Sequence, residues 1–311
     1  MLSRVAASVY WMNRYIERAE NYCRFMDVNF QLSLDSPESA NQWGPMVTTT
    51  GDNQEFESRY GEYNRENVIQ FMTFDAENPS SILSCIRRAR ENARTIRENI
   101  STELWQILNE LYLDLKKQPN SSDLEALERF YTRVRRTCLL FYGTMDATLS
   151  HDEVHRFALT GRYLERADKT TRILDMKYFI LLPSIQDVGT TLDLIQWLSL
   201  LKSASAHEMF NRIYQKVTPK NIAEFLILNT DFPRALIYCL AELDRNLRAI
   251  SGNSGRSYSN EAERKTGMML SELNYTDIEE IFDRGMHEYL DSVQTRLNDI
   301  GGHVVERYFA V

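Results

Sequence analysis

Between Val5 and Phe30 the apolar residues Val5, Val9, Met12, Ile16, Ala19, Cys23, Met26 and Phe30 step alternately by four and three. This is the seam of a helix packed in a bundle, and it predicts a helix over residues 3–34. At about 100° per residue, Arg14, Arg18 and Asn21 fall opposite Ile16 and Glu17 falls on a shoulder. The charges of this segment are therefore expected to point away from the seam. Residues 35–63 read as polar and irregular, with a short apolar patch at Trp43–Val47. A helix is predicted from Asn64 through Val68, Phe71 and Met72, stopping before Asn78-Pro79 because a residue preceding proline avoids helical angles. Pro79 in a first turn with Asn78 as cap would open the next helix, with its own seam at Ile82, Ile86, Ala89, Ala93, Ile96 and Ile100. Whether it runs on through Trp105 to Lys117 is open in the pattern; Pro119 ends it either way.

Capping boxes at Ser122/Glu125 and Ser150/Glu153 predict two further long helices, the second closed by Pro183. Segments follow around Leu192–Leu201 and Met209–Val217. Thr218-Pro219 and Phe232-Pro233 then open helices through Phe225 and to Ile250. Ser251 to Gly255 reads as a break, and Thr276/Glu279 as the cap of a last helix carrying Gly285 and the Gly301-Gly302 pair. No stretch alternates apolar and polar, so the fold class is expected to be all-α.

The same pattern occurs twice. Arg14-Tyr15-Ile16-Glu17-Arg18-Ala19-Glu20 returns as Arg162-Tyr163-Leu164-Glu165-Arg166-Ala167-Asp168, 148 positions on (162 − 14). Identity extends to Arg24/Arg172 and Asp27/Asp175, and Glu20/Asp168 keeps its charge. Further on, Trp43, Phe56, Asn67, Phe71, Pro79, Cys85, Asn92, Arg94 and Ile96 match Trp197, Phe210, Asn221, Phe225, Pro233, Cys239, Asn246, Arg248 and Ile250 at an offset of 154 (197 − 43). The six-residue gain falls in loop-like runs rich in Pro, Ser, Asp and Gly, where insertion costs little. The reading is a tandem duplication giving two similar helical-bundle lobes in a pseudo-two-fold relation, at 1–149 and 150–311.

Composition narrows the function classes. A net charge of −8 argues against nucleic acid as the main partner. No apolar run reaches the length of a membrane span, and no basic segment followed by an apolar core opens the chain; a cytoplasmic setting is expected. Cys23, Cys85, Cys138 and Cys239 are widely spaced, which suits reduced, buried thiols rather than a metal knuckle.

Four sets of residues carry candidate chemistry. Arg14, Glu17 and Arg18, with Arg162, Glu165 and Arg166, share a helical face and form an anion-binding fork beside a carboxylate. One isolated copy would read as a solvated face with weak intrahelical pairs. In the duplicated pair the charges match better than the apolar positions, which points to a role requiring Arg and Glu, either a ligand site or a buried salt-bridge network between the lobes. Asn92 and Asn246 flank apolar seams and read as register-fixing polar residues or as amides lining a shared pocket, with Arg94 and Arg248 beside them. His151-Asp152-Glu153-Val154-His155 places two histidines at metal-sharing spacing, but the acids are what a helix start favours and no metal is expected. Arg87, Arg88, Arg90, Arg94 and Arg97 interleave with Glu91 and Glu98 and read as a polar helix face. No phosphate-binding glycine loop, Gly-x-Ser-x-Gly elbow or Cys/His nucleophile pairing occurs, and no cofactor is implied.

These residues resemble a known family. Leu2-Ser3-Arg4, Tyr10-Trp11 and Arg14-Tyr15-Ile16-Glu17-Arg18-Ala19-Glu20-Asn21 resemble the opening of the bacterial alpha-E proteins. So do Asn78-Pro79-Ser80-Ser81-Ile82, Ala89-Arg90-Glu91-Asn92-Ala93-Arg94, Glu103-Leu104-Trp105 and Gly161-Arg162-Tyr163-Leu164-Glu165-Arg166-Ala167-Asp168. His151 departs from the Arg that many members carry after Leu-Ser. The resemblance implies association with circularly permuted ATP-grasp ligases, encoded nearby or fused, and with transglutaminase-like or proteasome-like peptidases. The expectation is an accessory or substrate-handling subunit in a bacterial amide-bond-forming system, with Arg14, Arg18, Arg162 and Arg166 neutralising carboxylate or phosphate. Two other classes stand beside it: an enzyme using Glu17 or Glu165 as general base in an inter-lobe pocket, and a purely structural bundle locked by these charges. The adjacent arginines count against the general base, because they lower a carboxyl pKa that catalysis needs raised.

Overall fold

The computed structural model describes residues 1–35, 43–117, 123–181, 190–255 and 257–310. All regular structure among them is helical. The elements are α1 (Ser3–Asp35), α2 (Gly44–Thr50), α3 (Asn53–Arg59), α4 (Arg65–Ile69), α5 (Ile82–Thr95), α6 (Thr102–Leu115), α7 (Leu124–Thr148) and α8 (Glu153–Leu181). After them come α9 (Thr191–Ser203), α10 (His207–Ile213), α11 (Pro219–Leu228), α12 (Leu236–Ser251), α13 (Glu261–Asn274), α14 (Ile278–Arg284) and α15 (Met286–Tyr308). None of the described helices is long and apolar enough to cross a membrane.

The predicted seam of α1 is buried from Val9 to Phe30, and that of α5 from Ile82 through Ile100. The four cysteines are free and buried. α11 starts at the expected Thr218-Pro219, with Thr218 accepting the Asn221 amide, and α12 ends inside the expected break at 251–255, on Gly252 in the left-handed region.

Several boundaries differ from expectation. Residues 35–63 are not all irregular, since α2 and α3 lie there and bury Met46, Val47 and Phe56. α5 starts three residues after Pro79. Asn78 is drawn instead into the preceding turn, accepting from the Ser80 amide and donating to the Phe71 carbonyl, and Ser81 becomes the cap. α12 is delayed after Pro233 in the same way, beginning at Leu236. The α5 line does not continue as one rod; a 3-10 turn at Arg97–Asn99 breaks it, and Ser101 caps α6. Asp123 caps α7; Ser122, Pro119 and Pro183 lie outside the described residues. At α8 the side chain of Asp152, rather than Ser150, accepts the Val154 amide. α13 fills a stretch for which the pattern predicts no element. The expected last helix is two, because Gly285 at φ 96° ends α14 before α15 begins.

α1 and α8 lie side by side at the centre and run in the same direction. Tyr10, Arg14 and Glu17 meet Gly161, Glu165 and Arg166 in that order. α5 and α7 cover α1, while α12 and α15 cover α8. The short helices cross over, so that α2 packs on α8 and α9 packs on α1. Gly161 permits the central contact, since a Cβ there would collide with the Tyr10 carbonyl oxygen.

Candidate functional site

The face of α1 that carries Glu17 and Asn21 is buried against α8, because two central helices in contact leave each other no solvated side. The charges cross the contact. Arg14 donates from Nε to Glu165 (2.8 Å). Arg18 grips the same carboxylate with two bonds, Nε to Oε1 at 2.7 Å and Nη2 to Oε2 at 3.1 Å. In return Arg166 grips Glu17 with two bonds, Nε to Oε1 at 2.7 Å and Nη2 to Oε2 at 2.9 Å, and Arg162 Nε stands 3.9 Å from the same Oε2. Each glutamate is thus held by arginines of the other motif. Both are at 0% exposure, whereas Arg14, Arg18 and Arg162 keep a sliver of surface.

A second layer surrounds this exchange. Arg24 donates to Glu20 one turn back and to the Ser203 carbonyl, and Arg172 donates to Asp168 and to the Thr49 carbonyl. Arg234, just after Pro233, forks onto Glu20 with both bonds at 2.9 Å. Lys169 bridges Asp168 and Glu165. Four carboxylates (Glu17, Glu20, Glu165, Asp168) therefore meet a larger number of cations. Burial pushes every one of these carboxyls up, but the surrounding guanidiniums and Lys169 pull harder. Glu17, Glu20 and Glu165 end below the usual carboxylate range, and Asp168 at about 2.

The two halves of the exchange are not equal. Arg162 lies over the Tyr142 ring, 4.0 Å from its centroid, and neither its Nε nor the buried Tyr142 hydroxyl has a hydrogen-bond partner. Its counterpart Arg14 has its Nε bonded and its Nη1 on the Tyr10 hydroxyl at 3.2 Å.

The remaining sequence candidates have other partners. Asn246 is fully buried between Arg156 and the Glu242 carbonyl, while Asn92 is only half-buried. Exposed Arg94 pairs with Glu91, and Arg248 pairs with Asp244 while donating to the Gly255 and Ser257 carbonyls. Of the basic cluster on α5, Arg88 reaches the Tyr15 hydroxyl, and Arg90 lies over Trp105 and Tyr112. Sequence reasoning passed over Glu20, Arg24, Asp168, Arg172 and Arg234 as site residues. The signal for the first four was present, since they lie inside the repeated stretch.

An uncharacterized protein of Mycobacterium bovis and two of Mycobacterium tuberculosis are each 23% identical over 323 aligned positions, covering 96% of this chain. The match takes in only 36% of each relative's own length, so this chain spans about a third of the curated proteins that it resembles. No solved structure matches it. The family described as a predicted alpha-helical domain with a conserved ER motif matches residues 1–309, and the chain belongs to that Alpha-E family.

Proposed function

We propose that the chain is an accessory helical module that works through a partner enzyme, and that its Arg/Glu motifs clamp two halves, 1–149 and 150–311, about an approximate two-fold axis between α1 and α8. The observation carrying this reading is the reciprocal burial of Glu17 and Glu165, each neutralised by arginines from the other motif. A general base must take up a proton near neutral pH and reach its substrate. Two carboxylates without exposure and with depressed pKa values are suited to neither. An anion fork must keep its paired donors free, whereas Arg18 and Arg166 already direct Nε and Nη2 at glutamate. The crossed contacts Arg24–Ser203 and Arg172–Thr49 support the two-fold relation, because Thr49 and Ser203 correspond at the same 154-residue offset (203 − 49) as the matched prolines.

The partner is an ATP-grasp amide ligase, which would activate a carboxylate as an acyl phosphate. This identification rests on the family resemblance. It gains support from the relatives' length, since a module occupying 36% of a longer chain operates beside further polypeptide. An ATP-consuming partner fits a cytoplasmic setting.

The test is a pull-down of the purified chain with the ATP-grasp ligase encoded near it, followed by ATP consumption with and without the chain. Complex formation with altered turnover is expected; the absence of both overturns the partnership. Arg18→Ala separates clamp from substrate contact. As a clamp residue its loss lowers the unfolding midpoint and leaves the ligase response of the folded fraction intact. A response lost in fully folded protein would return Arg18 to the substrate.

A further inference from the structure

The junction between the long helices α7 and α8 carries a group of side chains that the central network does not use. Asp146 lies in the last turn of α7, His151 in the connecting turn and His155 in the first turn of α8. One ligand atom from each falls within 4.8 Å of the others. The Nε2 atoms of both histidines stand 3.7 Å from the same Oδ1 of Asp146. His151 Nε2 also lies 3.1 Å from the Asp146 carbonyl oxygen. The imidazoles are stacked with centroids 4.2 Å apart and planes 6° from parallel.

His155 is the informative member. It is 2% exposed, and neither ring nitrogen has a hydrogen-bond partner. A buried polar group left unpaired is destabilising, so such atoms are expected to have an occupant. Asp146 and His151 are exposed and can adjust.

We propose that Asp146, His151 and His155 bind a first-row divalent cation of the zinc class, which staples the end of α7 to the start of α8. Two imidazoles and a carboxylate are a borderline nitrogen/oxygen donor set of the kind zinc takes, with bonds of about 2.0–2.2 Å. Tetrahedral geometry at that bond length puts ligands about 3.4 Å apart, close to the 3.7 Å between each Nε2 and Asp146. His151 has to release the Asp146 carbonyl from its Nε2–H, shift that proton to Nδ1 and tilt out of its stack so that both Nε2 lone pairs converge. Three protein ligands leave the fourth tetrahedral position to water. His-to-His spacing of four was visible in the sequence, but the third ligand comes from the preceding helix and only the fold brings it in.

The test uses the full chain, stripped with chelator and titrated with Co2+ and then Zn2+. One Co2+ per chain is expected, giving visible absorption that Zn2+ abolishes, together with a higher melting temperature in Zn2+. His151→Ala and Asp146→Asn alter exposed side chains, so they should keep native circular dichroism. Both should weaken binding by at least about 10-fold and lose the thermal increment. Uptake well below one equivalent overturns the proposal. So does wild-type affinity in both variants, which would assign the metal to His207, His287 or His303.

Discussion

At the residue scale, the central contact replaces water around two carboxylates with guanidinium donors. A buried pair is a poor source of net stability against an apolar replacement, but removal of one partner leaves an uncompensated charge. Glu17→Gln strands Arg166, with Arg162 and Arg234 close by. It should lower stability by about 3–5 kcal/mol, read as a lower urea midpoint at unchanged m-value; an unmoved midpoint would mean that the contact does not hold the fold. The pH dependence has two parts of opposite sign. Glu17, Glu165 and Asp168 have depressed values in the folded state. Their contribution is full above the unfolded range near about 4 and is lost as pH falls from there towards the folded values. Asp27 runs the other way. Its burial outweighs the pull of Arg135 and raises it to about 6. Its charged form is a burden above that pH, relieved as pH falls through 6. Melting temperature should therefore rise modestly from pH 7 to 5 and collapse below about 4, and Asp27→Asn should flatten only the first part. A steady decline from pH 7 would contradict this assignment.

At the element scale, the decisive feature is how closely α8 approaches α1. Gly161 sits where a Cβ would strike the Tyr10 backbone, one turn before Glu165 enters between Arg14 and Arg18. Gly161→Ala should push the helices apart and cost about 1–3 kcal/mol, with the loss visible in thermal melts. Gly302 is the control. It lies in α15, and nothing stands within 4 Å of the place a methyl group would take, so Gly302→Ala should stabilise by about 0.5–1 kcal/mol through helix propensity alone. Equal effects of the two substitutions would show that close approach is not the reason for Gly161.

At the scale of the whole molecule, the two motifs hold each other's glutamates. Glu17 is held by Arg162 and Arg166, and Glu165 by Arg14 and Arg18 with Lys169 beside them, while α2 packs on α8 and α9 packs on α1. Such a chain should unfold as one unit even at this length. Fluorescence, dominated by Trp11, Trp43 and Trp105 within residues 1–149, should share a single urea transition with far-ultraviolet circular dichroism. Two separated transitions would mean that residues 1–149 and 150–311 are independently stable and that the crossed ion pairs do not couple them.

What the sequence determined by itself was local and periodic. The four-three seam of α1, the apolar stripe of α5, the helix start at Thr218-Pro219 and the break at 251–255 each depend on residues within a few turns of one another. The repeated motif also marked its own importance, because Arg14, Glu17, Arg18 and their matches recur together. Tertiary structure decided what that motif faces. Helical geometry alone turns the charges away from the seam and suggests water; a second central helix placed on that side turns them into a buried exchange. The same holds for helix starts. Asn78 and Ser150 have the right chemistry to cap, but Phe71 and Ser80 engage the first and Asp152 displaces the second. Hydrogen-bond competition and helix contacts between residues far apart in the chain leave no periodic trace, which is why only the folded molecule shows them.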